Sequence, residues 1–303
     1  MVASAASSPG NALNVVLLAG GYGTRLGKLG RDQSKGLLRL GETPLVDHLV
    51  QVLVELPVPF ALFFVTNRRL GEAFRDWAGG IGGDAPTVLD NGTNSPEERL
   101  GAVGDLCLAL EHCGQGQDVL VMVTNALFYF SLKDFAEEFY ERQDADVLLA
   151  IQEEANPRAL RNRGVVGISS DGQVDRFQEK PKMPAGKETA LPIHRLRSRI
   201  LLRAVHYLES NADPDAPGHL MEWLVERVMV VGWKAPESRL DIGTLMGYRE
   251  AVKRFKVSPA KPNREQSSAS RKSIGPPKGQ VINNARGRER VVILQQTGLD
   301  GSE

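Results

Sequence analysis

An apolar run, Val15-Val16-Leu17-Leu18, breaks into Ala19-Gly20-Gly21-Tyr22-Gly23-Thr24-Arg25-Leu26, and Lys35 follows ten residues after Arg25. Glycines let backbone N–H groups approach phosphate oxygens. A guanidinium and an ammonium neutralise charge that builds up during a transfer. These residues therefore describe a phosphate-binding loop at the end of a buried strand. The spacing matches neither common glycine loop: the dinucleotide fingerprint needs a third glycine at the helix start, and the P-loop needs Gly-Lys-Ser/Thr.

Three later blocks also carry chemistry. Asn91-Gly92-Thr93 precedes Glu98-Arg99-Leu100-Gly101-Ala102-Val103-Gly104-Asp105, in which Gly101 opens a helix. Gly164-Val165-Val166 leads through a hairpin to Phe177-Gln178-Glu179-Lys180-Pro181. Leu240-Asp241-Ile242-Gly243-Thr244 sets a carboxylate at a strand end before a glycine and a helix start. That carboxylate suits a hard cation; the alternative is a helix cap, a role Thr244 can fill.

The elements that must position these blocks follow from periodicity. Strands are expected at Asn14–Leu18, Phe60–Val65, Thr87–Leu89, Val119–Val123 and Val147–Ile151. Helices are expected around Pro44–Leu56, Leu70–Ala78, Glu97–Glu111 and Leu132–Arg142. This alternation predicts an α/β fold, a mostly parallel Rossmann-like sheet with helices on both faces. Ligands of such sheets bind beyond the carboxyl ends of the strands. The glycine loop after the first strand and Thr124-Asn125 after the fourth fall at that edge. Asp171-Gly172 between alternating runs predicts a hairpin. Helices are then expected at Ser198–Glu209 and Gly218–Val228, strands near Met229–Val231 and Arg239–Asp241, and a last helix over Thr244–Phe255.

The ordered blocks resemble the sugar-1-phosphate nucleotidyltransferases, whose pattern is G-x-G-T-R-L, P-K-x-L-L, Y-G-V-V, F-x-E-K-P and W-x-D-I-G-T. The resemblance spans Asn14 to Phe255. It implies a GT-A-like nucleotidyltransferase fold with a small sugar-side subdomain. It also implies transfer of a nucleoside monophosphate from a nucleoside triphosphate to a sugar-1-phosphate, with release of pyrophosphate. By this resemblance Gly20, Gly21, Gly23 and Thr24 cradle the nucleotide, and Gly92 and Gly101 border its base. Arg25 and Lys35 contact phosphates. Gly164 and Glu179 hold sugar hydroxyls, and Lys180 pairs the sugar phosphate. Asp241 and Asn125 face the expected Mg²⁺ cofactor. Family members are often oligomeric, which makes a homo-oligomer an expectation here.

Two departures stand out. The family's G-D-N-x-F reads Thr124-Asn125-Ala126-Leu127-Phe128, so an amide replaces a metal-binding carboxylate. This departure carries a second reading, a catalytically impaired paralogue that binds nucleotide or sugar phosphate and acts through a partner. Along the sugar pocket, Thr189-Ala190-Leu191-Pro192-Ile193-His194-Arg195 replaces small residues, and Arg195 is expected to add bulk there.

Lys plus Arg and Asp plus Glu number 37 each, so no global field points to nucleic acid or membrane. No apolar run reaches the ~20 residues that span a bilayer, and the first residues show no signal-peptide core. A cytoplasmic location is the expectation. Cys107 and Cys113 match neither a zinc nor a redox spacing and are read as reduced thiols. The expected organisation is a flexible tail over 1–12 and a nucleotidyltransferase domain over 13–256. Its nucleotide half covers about 13–152 and its sugar-side half about 153–256. A disordered basic tail over 257–303 completes the chain, with the apolar Val291–Leu294 able to dock as an edge strand.

Overall fold

The computed structural model describes residues 12–27, 34–81, 85–114, 116–236, 239–257, 280–283 and 289–292. The chain divides into two units, Met1–Pro259 and Ala260–Glu303. In the second, Gln280–Asn283 pairs antiparallel with Glu289–Val292, so Val291 and Val292 are laddered within their own unit. The rest of the expected basic tail and nearly all of the expected N-terminal tail lie outside the described residues.

The first unit is built on strands β1 (Leu13–Leu18), β2 (Phe60–Thr66), β3 (Thr87–Asp90), β4 (Asp118–Val123), β5 (Ala126–Phe128) and β6 (Val147–Glu153). They are followed by β7 (Gly164–Ile168), β8 (Val174–Glu179), β9 (Glu188–Leu196), β10 (Val230–Lys234) and β11 (Arg239–Asp241). Nine of them form one sheet in the order β8-β7-β9-β4-β1-β2-β3, with β6 paired to both β9 and β10. The β4-β1-β2-β3 portion is parallel throughout. β5 and β11 pair with each other beside it.

Every residue of β1 is buried. Leu13, Val15 and Leu17 join one core, and Val16 and Leu18 the other, because successive strand side chains point to opposite faces. The first face is covered by α1 (Leu45–Leu53), α2 (Arg68–Ile81) and α4 (Leu132–Glu141), which bring Leu49, Phe74, Phe135 and Phe139. The second is covered by α3 (Gly101–Leu110), α5 (Leu202–Glu209) and α6 (Pro217–Leu224), through Leu106, Tyr207 and Leu220. Burial of each such side chain contributes about 1.5–3 kcal/mol. The last helix, α7, runs Leu245–Val257. Among the described residues no helix is long and apolar enough to cross a membrane.

β9 corrects the sequence reading. The stretch expected along a sugar pocket is instead a nine-residue strand inside the sheet. Its register shifts between Ala190 and His194, and that irregularity accommodates Pro192, which lacks a ladder N–H. Because β9 runs antiparallel to β4, each step past His194 moves away from the Thr124 edge: His194 faces Val121 and Arg195 faces Leu120. Arg195 is 2% exposed, with its guanidinium 4.3 Å from the ring centres of both Phe139 and Tyr140. Its Nη2 lies 3.5 Å from Asp118. It supports the back of the sheet and does not crowd a pocket. Cys107 and Cys113 are free, and burial pushes both thiols up to about 11.

Candidate functional site

The turn after β1 is pinned on several sides. Ala19 N–H continues the ladder to Val65 O at 2.8 Å, and Asn67 Nδ2 donates to Gly20 O at 3.1 Å. Asn67 Oδ1 accepts from Leu70 N–H at the start of α2, which fixes the amide's orientation. Gly23 lies in the left-handed region, φ 68°, before a single 3-10 turn over Thr24–Leu26. Glycine adopts that conformation without the strain a Cβ brings. Tyr22 is buried, and its hydroxyl donates to Thr93 Oγ1 at 2.8 Å.

One cavity of about 340 Å³ opens beyond the carboxyl ends of the parallel strands. Gly20, Gly21, Gly23 and Thr24 line it, as do Lys35, Gly101, Asn125 and Lys180. Blocks separated by up to 160 residues in the chain therefore share one site. Of the remaining candidates, Gly92 does not line the cavity; it forms a turn in which its N–H donates to Asp90 Oδ1 at 2.8 Å. Gly164 and Glu179 stand just behind Lys180, paired in the β7–β8 ladder. The side chains of Arg25 and Asp241 lie outside those described.

Lys35 opens a 3-10 turn over Lys35–Leu37. Gly36, next in the chain, lets that turn sit against Thr124: a Cβ there would meet Thr124 Cβ at 3.4 Å and Phe74 at 3.3 Å. Asn125 follows Thr124, and its carbonyl accepts from Ile242 N–H at 2.8 Å. The β5–β11 ladder sets Asp241 opposite Ala126, so the backbones of Asn125 and Asp241 are neighbours.

Lys180 arrives from the far half of the chain at the end of β8. Its φ is 46°, unusual for a residue with a Cβ, and such strain persists only where surrounding structure imposes it. Its N–H donates to Arg163 O at 3.1 Å, and its Nζ lies 3.1 Å from Glu179 Oε1. Glu179 packs under Gly164 and Gly218, positions where a Cβ would collide with Phe177 or with the Glu179 carboxylate.

Sequence reasoning gave Asp105 no role. It sits within α3, is 6% exposed, and lines the cavity. Burial raises its carboxyl to about 6, and the Asn91 hydrogen bond opposes that rise. The available signal was a lone carboxylate within the otherwise apolar run Ala102–Leu110. Among the described residues no histidine or cysteine lines the cavity. The glycine loop and the two lysines give the cavity groups suited to positioning a phosphate and neutralising its charge.

Comparison with known proteins agrees with this architecture. A family model described as nucleotidyl transferase matches residues 14–257. The chain is 28% identical over 141 residues to a glucose-1-phosphate adenylyltransferase of Thermomicrobium roseum, covering 45% of this chain and 32% of that protein. It is 25% identical over 194 residues to mannose-1-phosphate guanylyltransferase 1 of Arabidopsis thaliana, covering 62% and 51%. The chain thus spans about a third to a half of the length of these curated relatives. Among solved structures, a UDP-glucose pyrophosphorylase from Acinetobacter baumanii superposes with a TM-score of 0.65 at 16% identity, over 82% of this chain and 95% of that one. With a family model matched over most of its length and a mixed α/β fold shared with such structures, the chain belongs to the nucleotidyl transferase family.

Proposed function

We propose that this chain transfers a nucleoside monophosphate from a nucleoside triphosphate to a sugar-1-phosphate and releases pyrophosphate. The observation that carries this reading is the convergence of Lys35 and Lys180 on the cavity that the glycine loop opens. An oxygen of the sugar phosphate attacks the α-phosphorus, the bond to the bridging oxygen of the β-phosphate breaks, and its electron pair leaves on pyrophosphate. The attacking oxygen is already anionic, so no base is required. What remains is alignment and neutralisation of charge on oxygens that approach one another. In this reading Gly20, Gly21, Gly23 and Thr24 cradle the nucleotide, and Arg25 and Lys35 neutralise its phosphates. Lys180 pairs the sugar phosphate while Gly164 and Glu179 border the sugar. The nucleotide half, about 13–152, and the sugar-side half, about 153–256, each supply one substrate's contacts.

A magnesium ion suits the donors at the β5–β11 ladder, because Mg²⁺ is commonly held by one or two carboxylates together with substrate phosphates. Asp241 and Asn125 would hold it, and when bound it neutralises phosphate charge. Asn125 carries no charge, so this chain leans on Asp241 and on the substrates more than a two-carboxylate site does.

A panel of four nucleoside triphosphates against several sugar-1-phosphates, with Mg²⁺ or Mn²⁺, tests the reading when products are identified by mass. A nucleotide-sugar product is expected from at least one pair. Asn125→Asp should lower the metal concentration needed for half-maximal rate. Product from Asn125→Asp but none from wild type would favour the second reading, a binding protein with a weakened metal site.

A further inference from the structure

One end of the cavity holds a side chain that phosphate chemistry does not call for. Asp105 is more than nine-tenths buried, yet it lines the same cavity as the two lysines. Its Oδ1 accepts from Asn91 Nδ2 at 2.7 Å. Asn91 cannot turn its amide over, since its Oδ1 accepts from Thr93 N–H at 3.1 Å and from the Thr93 hydroxyl at 2.8 Å. The Thr93 oxygen in turn accepts from Tyr22. This relay holds the carboxylate in one orientation, with Oδ2 against the bare Cα of Gly20. Among the described residues no donor reaches Oδ2. The atom is open to the cavity rather than sealed from water, so a ligand donor placed there would replace water on a carboxylate already held in position.

The strand order separates the two ends of the cavity. Thr124 and Asn125, with Lys35 beside them, follow β4 on one side of β1. Asn91 follows β3, two strands beyond β1 on the other side. A triphosphate is drawn to the first end and repelled from a carboxylate at the second, which leaves the second for the base. Gly101, φ 76°, and Gly21 present backbone there without side-chain bulk.

We infer that Asp105 reads the base of the nucleotide and selects guanine, whose Watson–Crick edge carries two adjacent N–H donors. The inference rests on the nucleotide reading of the cavity proposed above. Guanine N1–H and its 2-amino group can both donate to one carboxylate, one to Oδ2 and the other to the remaining lone pair of Oδ1. Uracil and thymine offer one N–H flanked by two carbonyl oxygens that a carboxylate repels. Adenine and cytosine offer one amino group beside a ring nitrogen that is itself an acceptor.

Calorimetric binding of GTP, ITP, ATP, UTP and CTP to the full chain tests this. GTP should bind about tenfold or more tighter than ATP, UTP and CTP, the discrimination expected of a paired readout. ITP lacks the 2-amino group and should bind several-fold more weakly than GTP, a comparison that needs no variant. Asp105→Asn keeps the volume and an acceptor for Asn91; it should reduce GTP affinity about tenfold and leave the other triphosphates within about twofold. Triphosphate binding without a preference for GTP over ITP, or with a preference unchanged in Asp105→Asn, overturns the inference and leaves the nucleotide reading standing. Failure of every triphosphate to bind overturns both.

Discussion

The Asp105 carboxylate rests against the Cα of Gly20, so that a methyl group on Gly20 would stand 3.2 Å from Asp105 Cγ and closer still to Oδ2. Two segments 85 residues apart are fitted to each other at the mouth of the cavity. Gly20→Ala should therefore destabilise the protein by about 1–3 kcal/mol through overpacking and weaken triphosphate binding. In an Asp105→Ala background most of that loss should disappear. Urea unfolding of the four proteins of this double-mutant cycle measures the coupling, expected within about 0.5–3 kcal/mol. Additive effects would mean that the two residues do not constrain each other.

The pH dependence of stability supplies a separate test. Burial moves the Asp105 carboxyl from 3.8 up to about 6, so the native state holds its proton more tightly than the unfolded chain does. The stabilisation from that proton is complete below about pH 4 and is lost as pH rises through 6. Asp105→Asn should then be more stable than wild type at neutral pH, by up to about 3 kcal/mol. The advantage should shrink towards zero near pH 4. Thermal melts of both proteins across this range check it, and a constant difference would contradict it.

Lys180 combines a strained backbone with a charge in the cavity, and two substitutions separate them. Lys180→Gly relieves φ 46° but, like Lys180→Ala, leaves the buried Glu179 carboxylate without its ammonium. Its Tm should exceed that of Lys180→Ala while the rate of nucleotidyl transfer falls at least about tenfold. Lys180→Ala should lose the rate and keep the strain. Melting curves and initial rates on the two variants read both effects.

Arg195 should behave as a structural residue. Arg195→Ala removes the stacking on Phe139 and Tyr140 and one of two guanidinium groups near Asp118, which keeps Arg197 at 3.8 Å and the Ser198 N–H at 2.9 Å. The lost buried volume costs about 2–5 kcal/mol. KM for the sugar phosphate should be unchanged in protein that remains folded. A selective rise in that KM would return Arg195 to the sugar pocket.

The parts of the molecule legible in the sequence are those whose local pattern and tertiary fate agree. The apolar β1 run ending in Gly20-Gly21, the Asp171-Gly172 hairpin with Gly172 at φ 87°, and Arg239–Asp241 as a strand all follow from residue order. β9 was not legible as a central strand because Pro192 lacks a strand donor and Thr189, His194 and Arg195 break the apolar alternation. Its polar groups meet distant partners: Thr189 Oγ1 donates to Gln152 O at 3.3 Å, and Arg195 faces Asp118 through Nη2. The Arg195 Nε and Nη1 lie against the Phe139 and Tyr140 rings without an acceptor among the described residues. Helix α3 begins at Gly101, as the glycine block predicts, and the broader periodic stretch from Glu97 does not join it, since Pro96–Glu98 closes a separate 3-10 turn and Gly101 takes φ 76°. Asp105 was missed for the same reason as β9. A carboxylate in a helix suggests a solvent-facing position, and only the approach of Asn91 and Gly20 turns it inward.

The central claim is that one cavity joins a nucleoside triphosphate to a sugar phosphate. Its most direct test is pyrophosphate release by wild type and Lys35→Ala, measured with both substrates and with each omitted. Release that requires both substrates and a divalent metal, and that falls at least about a hundredfold in a folded Lys35→Ala, is the predicted result. Release without the sugar phosphate, or release unaffected by the loss of Lys35, would contradict it.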